Sequence, residues 1–197
     1  MNELLEGLLL PVAGVDEAGR GPLAGPVTAA AVVLDISVPI PGIGDSKAIT
    51  EARREKLFDL IQERAVAWAI GWATAEEIDQ INILQASFLA MRRALEQIPG
   101  QFRAVAVDGN RVIPKLDYPQ RAIVKGDARV AEIGAASILA KVARDRYMLE
   151  LHERFPQYGF AKHKGYPTAD HVEALRCHGP MPEHRRTFRP VSELLLL

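Results

Sequence analysis

The chain has a single cysteine, Cys177, which excludes an internal disulfide and any zinc site built from cysteines. A reducing cytosol is therefore the expected home, since disulfide frameworks belong to oxidising compartments. No run of apolar residues approaches the roughly 20 needed to cross a bilayer, so no membrane contact is expected. The opening MNELLEGLLLPV is apolar but carries Glu3 and Glu6 and no basic residue, so it lacks the charged start of a secretory signal. A short amphipathic helix ended by Pro11 or Gly14 is expected there. Net charge is nearly absent too: 24 Lys and Arg against 25 Asp and Glu leave −1, which counts against nonspecific coating of DNA. No repeat or low-complexity linker divides the chain, so residues 1–197 read as one domain. A chain of this length buries about 70% of its unfolded surface.

What is present is unevenly placed. From Lys162 to Arg189 there are six basic residues (Lys162, Lys164, Arg176, Arg185, Arg186, Arg189) against three acids (Asp170, Glu173, Glu183), with four of the five histidines. This basic, helical end, about 156–197, can face a polyanion. The most informative stretch is VAGVDEAGRGPLAGPV, residues 12–27. It runs from a short apolar strand into adjacent carboxylates, Asp16 and Glu17, and then into Gly19-Arg20-Gly21. Adjacent acids at a strand end can hold a divalent cation. A Gly-Arg-Gly turn brings backbone amides and a guanidinium close to a phosphate. Together they point to phosphoryl-transfer chemistry on a nucleotide or nucleic acid.

Periodicity and turn residues predict strands at 12–15 and 27–34, joined by the Gly/Pro turn at 19–26, and a loop over 35–49. Thr50 caps a predicted helix to about residue 65, with Leu57, Leu60, Ile61 and Arg64 on one stripe. A third strand is predicted at 65–73, and a helix capped by Asn82 over 83–98. Further strands are predicted at 104–107 and 121–124, a long helix at about 130–155, a loop over PQYGFAKHKGYP, and a helix from Thr168. This order gives an α/β fold: a mixed sheet flanked by helices.

Three predicted strand ends carry acids: Asp16-Glu17, Asp108 and Asp127. Each alone reads first as a turn residue, Asp-Gly and Gly-Asp being common turn dipeptides. If the strands are neighbours, the acids converge where α/β sheets bind ligands. Two carboxylates about 4 Å apart repel by roughly 4 kcal/mol at an effective dielectric of 20. Four such groups need protons or a hard cation, Mg²⁺ or Mn²⁺, and oxygen-only ligands disfavour zinc and copper.

Several long segments, in order, resemble bacterial ribonuclease HII. They are VAGVDEAGRGPLAGPV, DSK at 45–47, EIDQINILQAS at 77–87, VDGNR at 107–111, VKGD at 124–127, AASILAKVARDR at 135–146 and FPQYGFAKHKGYPT at 155–168. The resemblance spans almost the whole chain. It implies a ribonuclease H-like mixed sheet with a C-terminal helical extension. It also implies a Mn²⁺- or Mg²⁺-dependent endonuclease that hydrolyses the phosphodiester 5′ to a ribonucleotide, leaving a 3′-hydroxyl and a 5′-phosphate. The implied substrates are RNA/DNA hybrids and duplex DNA with embedded ribonucleotides. The implied catalytic and metal-binding acids are Asp16, Glu17, Asp108 and Asp127. Asp145 is a competing carboxylate whose other reading is a local ion pair. The chain lacks the extra N-terminal domain expected of the related ribonuclease HIII and a C-terminal extension that some relatives carry.

The resemblance also places Gly19, Arg20 and Gly21 against the DNA–RNA junction, where close backbone approach can sense a 2′-hydroxyl. Tyr166 resembles the tyrosine that stacks beside that junction; its other reading is a half-buried loop anchor. Ser46 and Lys47 can hold a phosphate or simply cap a turn. Lys162, His163 and Lys164 can contact phosphates or stay solvated. The terminal leucines pack back on the domain or dock on a replication clamp. A monomer is expected. The competing functions are another ribonuclease H-like nuclease of the resolvase type, a noncatalytic nucleic-acid-binding module, and a small-molecule phosphatase.

Overall fold

A computed structural model of the chain describes residues 2–43 and 49–195. Ser46 and Lys47 lie outside the described residues. The elements are β1 (Val12–Ala18), β2 (Val27–Val33), α1 (Glu51–Arg64), β3 (Ala67–Ala73), α2 (Ala75–Ile81), α3 (Ile83–Glu96), β4 (Ala104–Asp108) and β5 (Gln120–Ile123). These are followed by α4 (Ala131–Arg154), α5 (Phe160–His163), α6 (Ala169–His178) and α7 (Val191–Leu194). The five strands lie in the order β3-β2-β1-β4-β5. β1, β2 and β3 are antiparallel neighbours, while β4 runs parallel to both β1 and β5.

The sheet is a mixed one with a helix on each face. Alternation along β1 sends Ala13 and Val15 into the core shared with Phe88, Met91 and Leu95 of α3. The opposite face meets α4 so closely that a methyl on Gly14 would fall 2.1 Å from the Glu132 carbonyl carbon. On that side Ala30 and Val32 of β2 pack with Ile138, Leu139 and Val142 of α4, and Leu57, Phe58 and Ile61 of α1 close over them. The long α4 thus spans from the sheet to a separate C-terminal core of Leu23, Met148, Tyr158, Phe160 and Leu175.

Most predicted elements are present, with caps where expected. The hydroxyl of Thr50 accepts from Arg53 N, Asn82 accepts from Leu84 N and Gln85 N, and Thr168 accepts from His171 N. Four differences have local causes. The predicted N-terminal helix is only a 3-10 turn at Glu3–Leu5, because Gly7 takes φ +81° soon after it. β1 extends three residues past its predicted end, since β2 pairs with it as far as Ala18. α2 was not expected; Thr74 and Glu77 form a reciprocal capping box that starts it. α5 and a 3-10 turn at Pro156–Tyr158 occupy the predicted loop. The C-terminal basicity is partly offset: Arg185 is fully buried, and the exposed Lys162, Arg176 and Arg189 pair with Asp170, Glu173 and Glu193.

Candidate active site

Parallel pairing of β1 and β4 sets Val15 beside Val107, so the next residues, Asp16 and Asp108, lie side by side where the pairing of these two strands ends. After β5 the chain turns through Lys125, in left-handed backbone at φ 56°, into a 3-10 turn carrying Asp127. Asp108 Oδ1 accepts from Gly126 N at 2.7 Å and Asp127 N at 3.3 Å, which docks this turn against the end of β4. Asp16 Oδ1 accepts from Glu17 N at 2.7 Å.

The acids feel one another. Burial holds the Asp16 carboxyl well above the usual carboxylate range, the charges of Glu17 and Asp108 add to this, and a hydrogen bond with Ser137 opposes it. Burial also raises Glu17, against an opposing ion pair with Arg20. Asp108 is raised by burial and by Asp127, against its three backbone donors. Strand alternation turns Asp16 toward α4, where Ser137 lies, while Glu17 borders both an opening walled by Ser137 and Lys141 of α4 and one walled by Leu84 and Ser87 of α3. Among the described residues no three acidic, histidine or cysteine side chains are gathered into a cage for an ion. The donor set still fits a hard divalent cation, being all oxygen and destabilised by its own crowded negative charge.

Two openings flank Glu17 and Arg20. One, of about 510 Å³, is lined by Glu17, Arg20, Gly21, Asp127, Lys141 and Tyr166 among others. The other, of about 140 Å³, is lined by Glu17, Arg20, Ser87, Asp108, Asn110 and Arg111 among others. The Arg20–Glu17 ion pair, 3.0 Å between Nη1 and Oε1, stands between them.

The turn at residues 19–26 is held from beneath by two buried arginines that the sequence did not single out. Arg185 donates to the carbonyls of Gly19 at 2.6 Å, Arg20 at 2.9 Å and Gly25 at 3.0 Å. Arg144 donates to Ala24 at 3.1 Å, Pro26 at 3.1 Å and Lys164 at 3.0 Å. Burial lowers Arg185 to about 9 and Arg144 to about 10, so both remain cationic at neutral pH. Gly19 has φ +92°, and a methyl there would sit 2.0 Å from Arg144 Nε. Nothing in composition marks an arginine as buried. Lys141, on the cavity wall, carries no local sequence signal that separates it from other helix-surface lysines.

Tyr166 is 43% exposed and borders the larger cavity, across from Gly21. Asp145 pairs with Lys141 at 2.7 Å, the local ion pair that was its second reading. Lys164 places its ammonium on the Ala161 carbonyl. His163 is buried against Phe160 and His171, away from any phosphate path on the surface.

A family model for "Ribonuclease HII" matches residues 13–191. A ribonuclease HII of Paracidovorax citrulli is 62% identical over 181 residues, covering 92% of this chain and 75% of that protein. One from Dechloromonas aromatica is 56% identical over 193 residues, covering 96% of this chain and 98% of that protein. Among solved structures, the ribonuclease H2 of Pyrococcus horikoshii aligns with TM-score 0.74 and 30% identity over 93% of this chain and 96% of that one. The ribonuclease HII of Archaeoglobus fulgidus, solved in complex with PCNA, aligns with TM-score 0.73 and 26% identity over 90% of this chain and 95% of that one. Bst-RNase HIII in complex with Mn²⁺ shares the fold at TM-score 0.72 and 18% identity, over 94% of this chain and 69% of that one.

Proposed function

The chain belongs to the ribonuclease HII family and is an endonuclease of the ribonuclease H class, and we propose that Asp16, Glu17, Asp108 and Asp127 are its catalytic, metal-holding acids. The observation that carries this reading is the β1–β4 pairing that sets Asp16 beside Asp108, with Glu17 and Asp127 lining one cavity together with Arg20 and Tyr166. A divalent cation, Mg²⁺ or Mn²⁺, would be held by these oxygens and would supply Lewis acidity toward water and toward the leaving oxygen.

The chain's own groups do the rest. Asp16, raised by burial and by the charges of Glu17 and Asp108, would hold one side of a bound cation, whose charge favours its ionised form. Asp108, anchored by Gly126 N and Asp127 N, keeps its second oxygen for the site. Glu17 is held by Arg20 in the free protein, and an incoming phosphate can take over that guanidinium and release the carboxylate. The Gly19–Gly21 backbone approaches the ribose, and Tyr166 offers a stacking face at the junction. Water attacks phosphorus, and the bond to the upstream 3′-oxygen breaks. The ribonucleotide keeps a 5′-phosphate and the upstream strand a 3′-hydroxyl. Ser46, Lys47 and Lys164 are assigned to backbone phosphates on the family resemblance alone.

The proposed substrate is an RNA/DNA hybrid or duplex DNA with an embedded ribonucleotide, cut by a monomer in the cytoplasm. No helix among the described residues is long and apolar enough to cross a membrane. Val191 is buried and Leu194 packs on the C-terminal core, which favours packing of the tail over a clamp contact. The test is a labelled duplex with one ribonucleotide, with and without Mg²⁺ or Mn²⁺, beside an all-deoxy control. A nick 5′ to the ribonucleotide only with metal is expected. Equal cutting of the all-deoxy duplex favours a resolvase-type nuclease, and binding without cutting favours a noncatalytic module.

A further inference from the structure

Three of the five histidines are buried around Tyr158 and Phe160: His163, His171 and His184, with His171 and His184 at 0% and 1% exposure. Buried histidines most often fill space. Here every ring nitrogen has a partner, and the partners fix the direction of every bond. Met181 N–H donates to His184 Nδ1 at 3.1 Å, so that nitrogen is bare and the proton sits on Nε2. His184 Nε2 lies 3.1 Å from His171 Nε2, which must therefore accept. The remaining proton of His171 is on Nδ1, 2.9 Å from the carbonyl of Tyr166, and is donated to it. His163 obeys the same logic: Gly165 N–H donates to its Nδ1 at 3.2 Å, and its Nε2 donates to Tyr158 O at 2.9 Å. Its ring stacks on His171 with centroids 4.5 Å apart.

We propose that His184 and His171 form a one-directional hydrogen-bond relay that holds Tyr166, making both histidines positioning residues for recognition of the ribonucleotide junction. The proposal rests on the junction-reading role given to Tyr166 above. Tyr166 needs such a hold. It follows two successive residues in left-handed backbone, Lys164 at φ 49° and Gly165 at φ +86°, and belongs to no helix or strand. Its main chain is tied by Tyr166 N to His163 O at 2.9 Å, by Thr168 N to Tyr166 O at 2.8 Å, and by His171. Only the last comes from a side chain that could be tuned independently of the turn. The relay also reaches the opposite wall of the cavity. His184 forms an isolated β-bridge with Ala24, Arg185 N donates to Leu23 O at 2.8 Å, and the Arg185 guanidinium holds Gly19 and Arg20. Adjacent residues, His184 and Arg185, thereby set the distance between the glycine turn and the tyrosine ring. The relay works only with neutral rings, because a second proton on His171 sets two N–H groups against each other across the 3.1 Å contact, and one on His184 sets Nδ1–H against Met181 N–H. Burial keeps both neutral, lowering each to about 4.

The test is a double-mutant cycle on the full chain, read as kcat/KM on a duplex with one embedded ribonucleotide, with Tm and Mg²⁺ affinity measured alongside. His171→Leu removes the donor to Tyr166 and is expected to lower kcat/KM about three- to tenfold, the worth of one neutral hydrogen bond. His171→Asn, whose amide nitrogen falls near the Nδ1 position, should restore most of the rate. In a Tyr166→Ala background, His171→Leu should have no further effect, because the ring it positions is gone. Should His171→Leu fail to fold, His184→Gln against His184→Leu makes the same comparison from the far end of the relay, with Gln near the parent and Leu impaired. Full activity of the Leu variants, or the same fold-loss with and without the Tyr166 ring, overturns the proposal. If Tyr166→Ala itself cuts at the parental rate, the junction-reading role fails and the relay falls with it. That pattern is distinct from a Tyr166-sensitive enzyme indifferent to its histidines.

Discussion

Gly21 faces the ring of Tyr166 so closely that a methyl built on its α-carbon would meet Tyr166 Cε1 at 3.6 Å, an ordinary van der Waals contact. These residues, 145 apart in sequence, form the two lips of one opening.

That contact separates two glycines that look equivalent in the sequence. Gly21 has no backbone strain and room for a methyl, so Gly21→Ala should leave Tm nearly unchanged while lowering cleavage, by narrowing the space between turn and ring. Gly19 has φ +92° and Arg144 Nε 2.0 Å from where a methyl would go. Gly19→Ala should cost about 1–2 kcal/mol from the left-handed conformation alone, before any displacement of Arg144. Thermal melts and cleavage rates of the two variants check this. Equal melting temperatures would count against it.

Crowded charge at the strand ends leads to a second expectation. Asp16→Asn keeps an acceptor for Glu17 N but removes one negative charge beside Glu17 and Asp108. Cleavage should fall on the order of a thousandfold, because several kcal/mol of transition-state stabilisation depend on the held cation. In chelator, the same variant should melt higher than the parent, by about 2–4 °C per kcal/mol of repulsion relieved. Activity near the parental level in saturating Mg²⁺, or a melting temperature in chelator that does not rise, would remove Asp16 from the metal site.

A third expectation concerns acid. His171 and His184 sit at about 4 in the folded protein, against about 6.5 for a histidine in an unfolded chain. Between those values the unfolded state binds more protons, so stability contributed by the pair is present above about pH 6.5 and is lost as pH falls toward 4. The raised carboxyls of Asp16, Glu17, Asp108 and Glu132 act in the opposite sense, favouring the fold as they take up protons. The groups acting on the two rings are His163 and each other, and His163 in turn feels Lys162, Asp170 and His152. The histidine part is therefore isolated by difference. Denaturant unfolding of the parent and of His184→Gln at pH 7 and pH 5 should show the gap between them shrinking on acidification. A gap that widens would contradict neutral, buried rings.

Much of this site was legible in residues. Asp16, Asp108 and Asp127 follow apolar strands, and strand ends are where α/β sheets place ligands, so β1, β4 and the turn after β5 were found from pattern alone. Adjacent Asp16 and Glu17 were read at a strand end, whereas β1 runs on to Ala18 through its pairing with β2, so both lie within the strand. Pairing over distance is invisible to local periodicity. So is burial of a cation: Arg185 counts toward a basic surface in the sequence, but its guanidinium satisfies three main-chain carbonyls of a turn about 160 residues away. The histidine relay was hidden for a related reason, because its members were counted as charge near a polyanion and act as neutral hydrogen-bonding rings.

The Arg20–Glu17 pair gives the last expectation. In the free protein the guanidinium occupies Glu17 Oε1 at 3.0 Å, and both residues border both openings. Arg20 therefore has two opposed effects on the site. On the proposed function, its charge would favour a substrate phosphate, and its ion pair would compete with a cation for the Glu17 carboxylate. Arg20→Ala should weaken affinity for the ribonucleotide duplex and slow cleavage about tenfold or more, the usual scale for a lost charge-assisted contact of 1.5–3 kcal/mol. The Mg²⁺ concentration for half-maximal activity should stay the same or fall, because Glu17 loses its rival partner and the site loses a nearby positive charge. A Glu17→Gln variant should shift the same curve the other way, toward higher Mg²⁺. Metal titrations at saturating duplex separate these outcomes. If Arg20→Ala instead raises the Mg²⁺ requirement while leaving duplex affinity intact, the arginine supports the metal site rather than the substrate, and the phosphate-exchange role assigned to it is wrong.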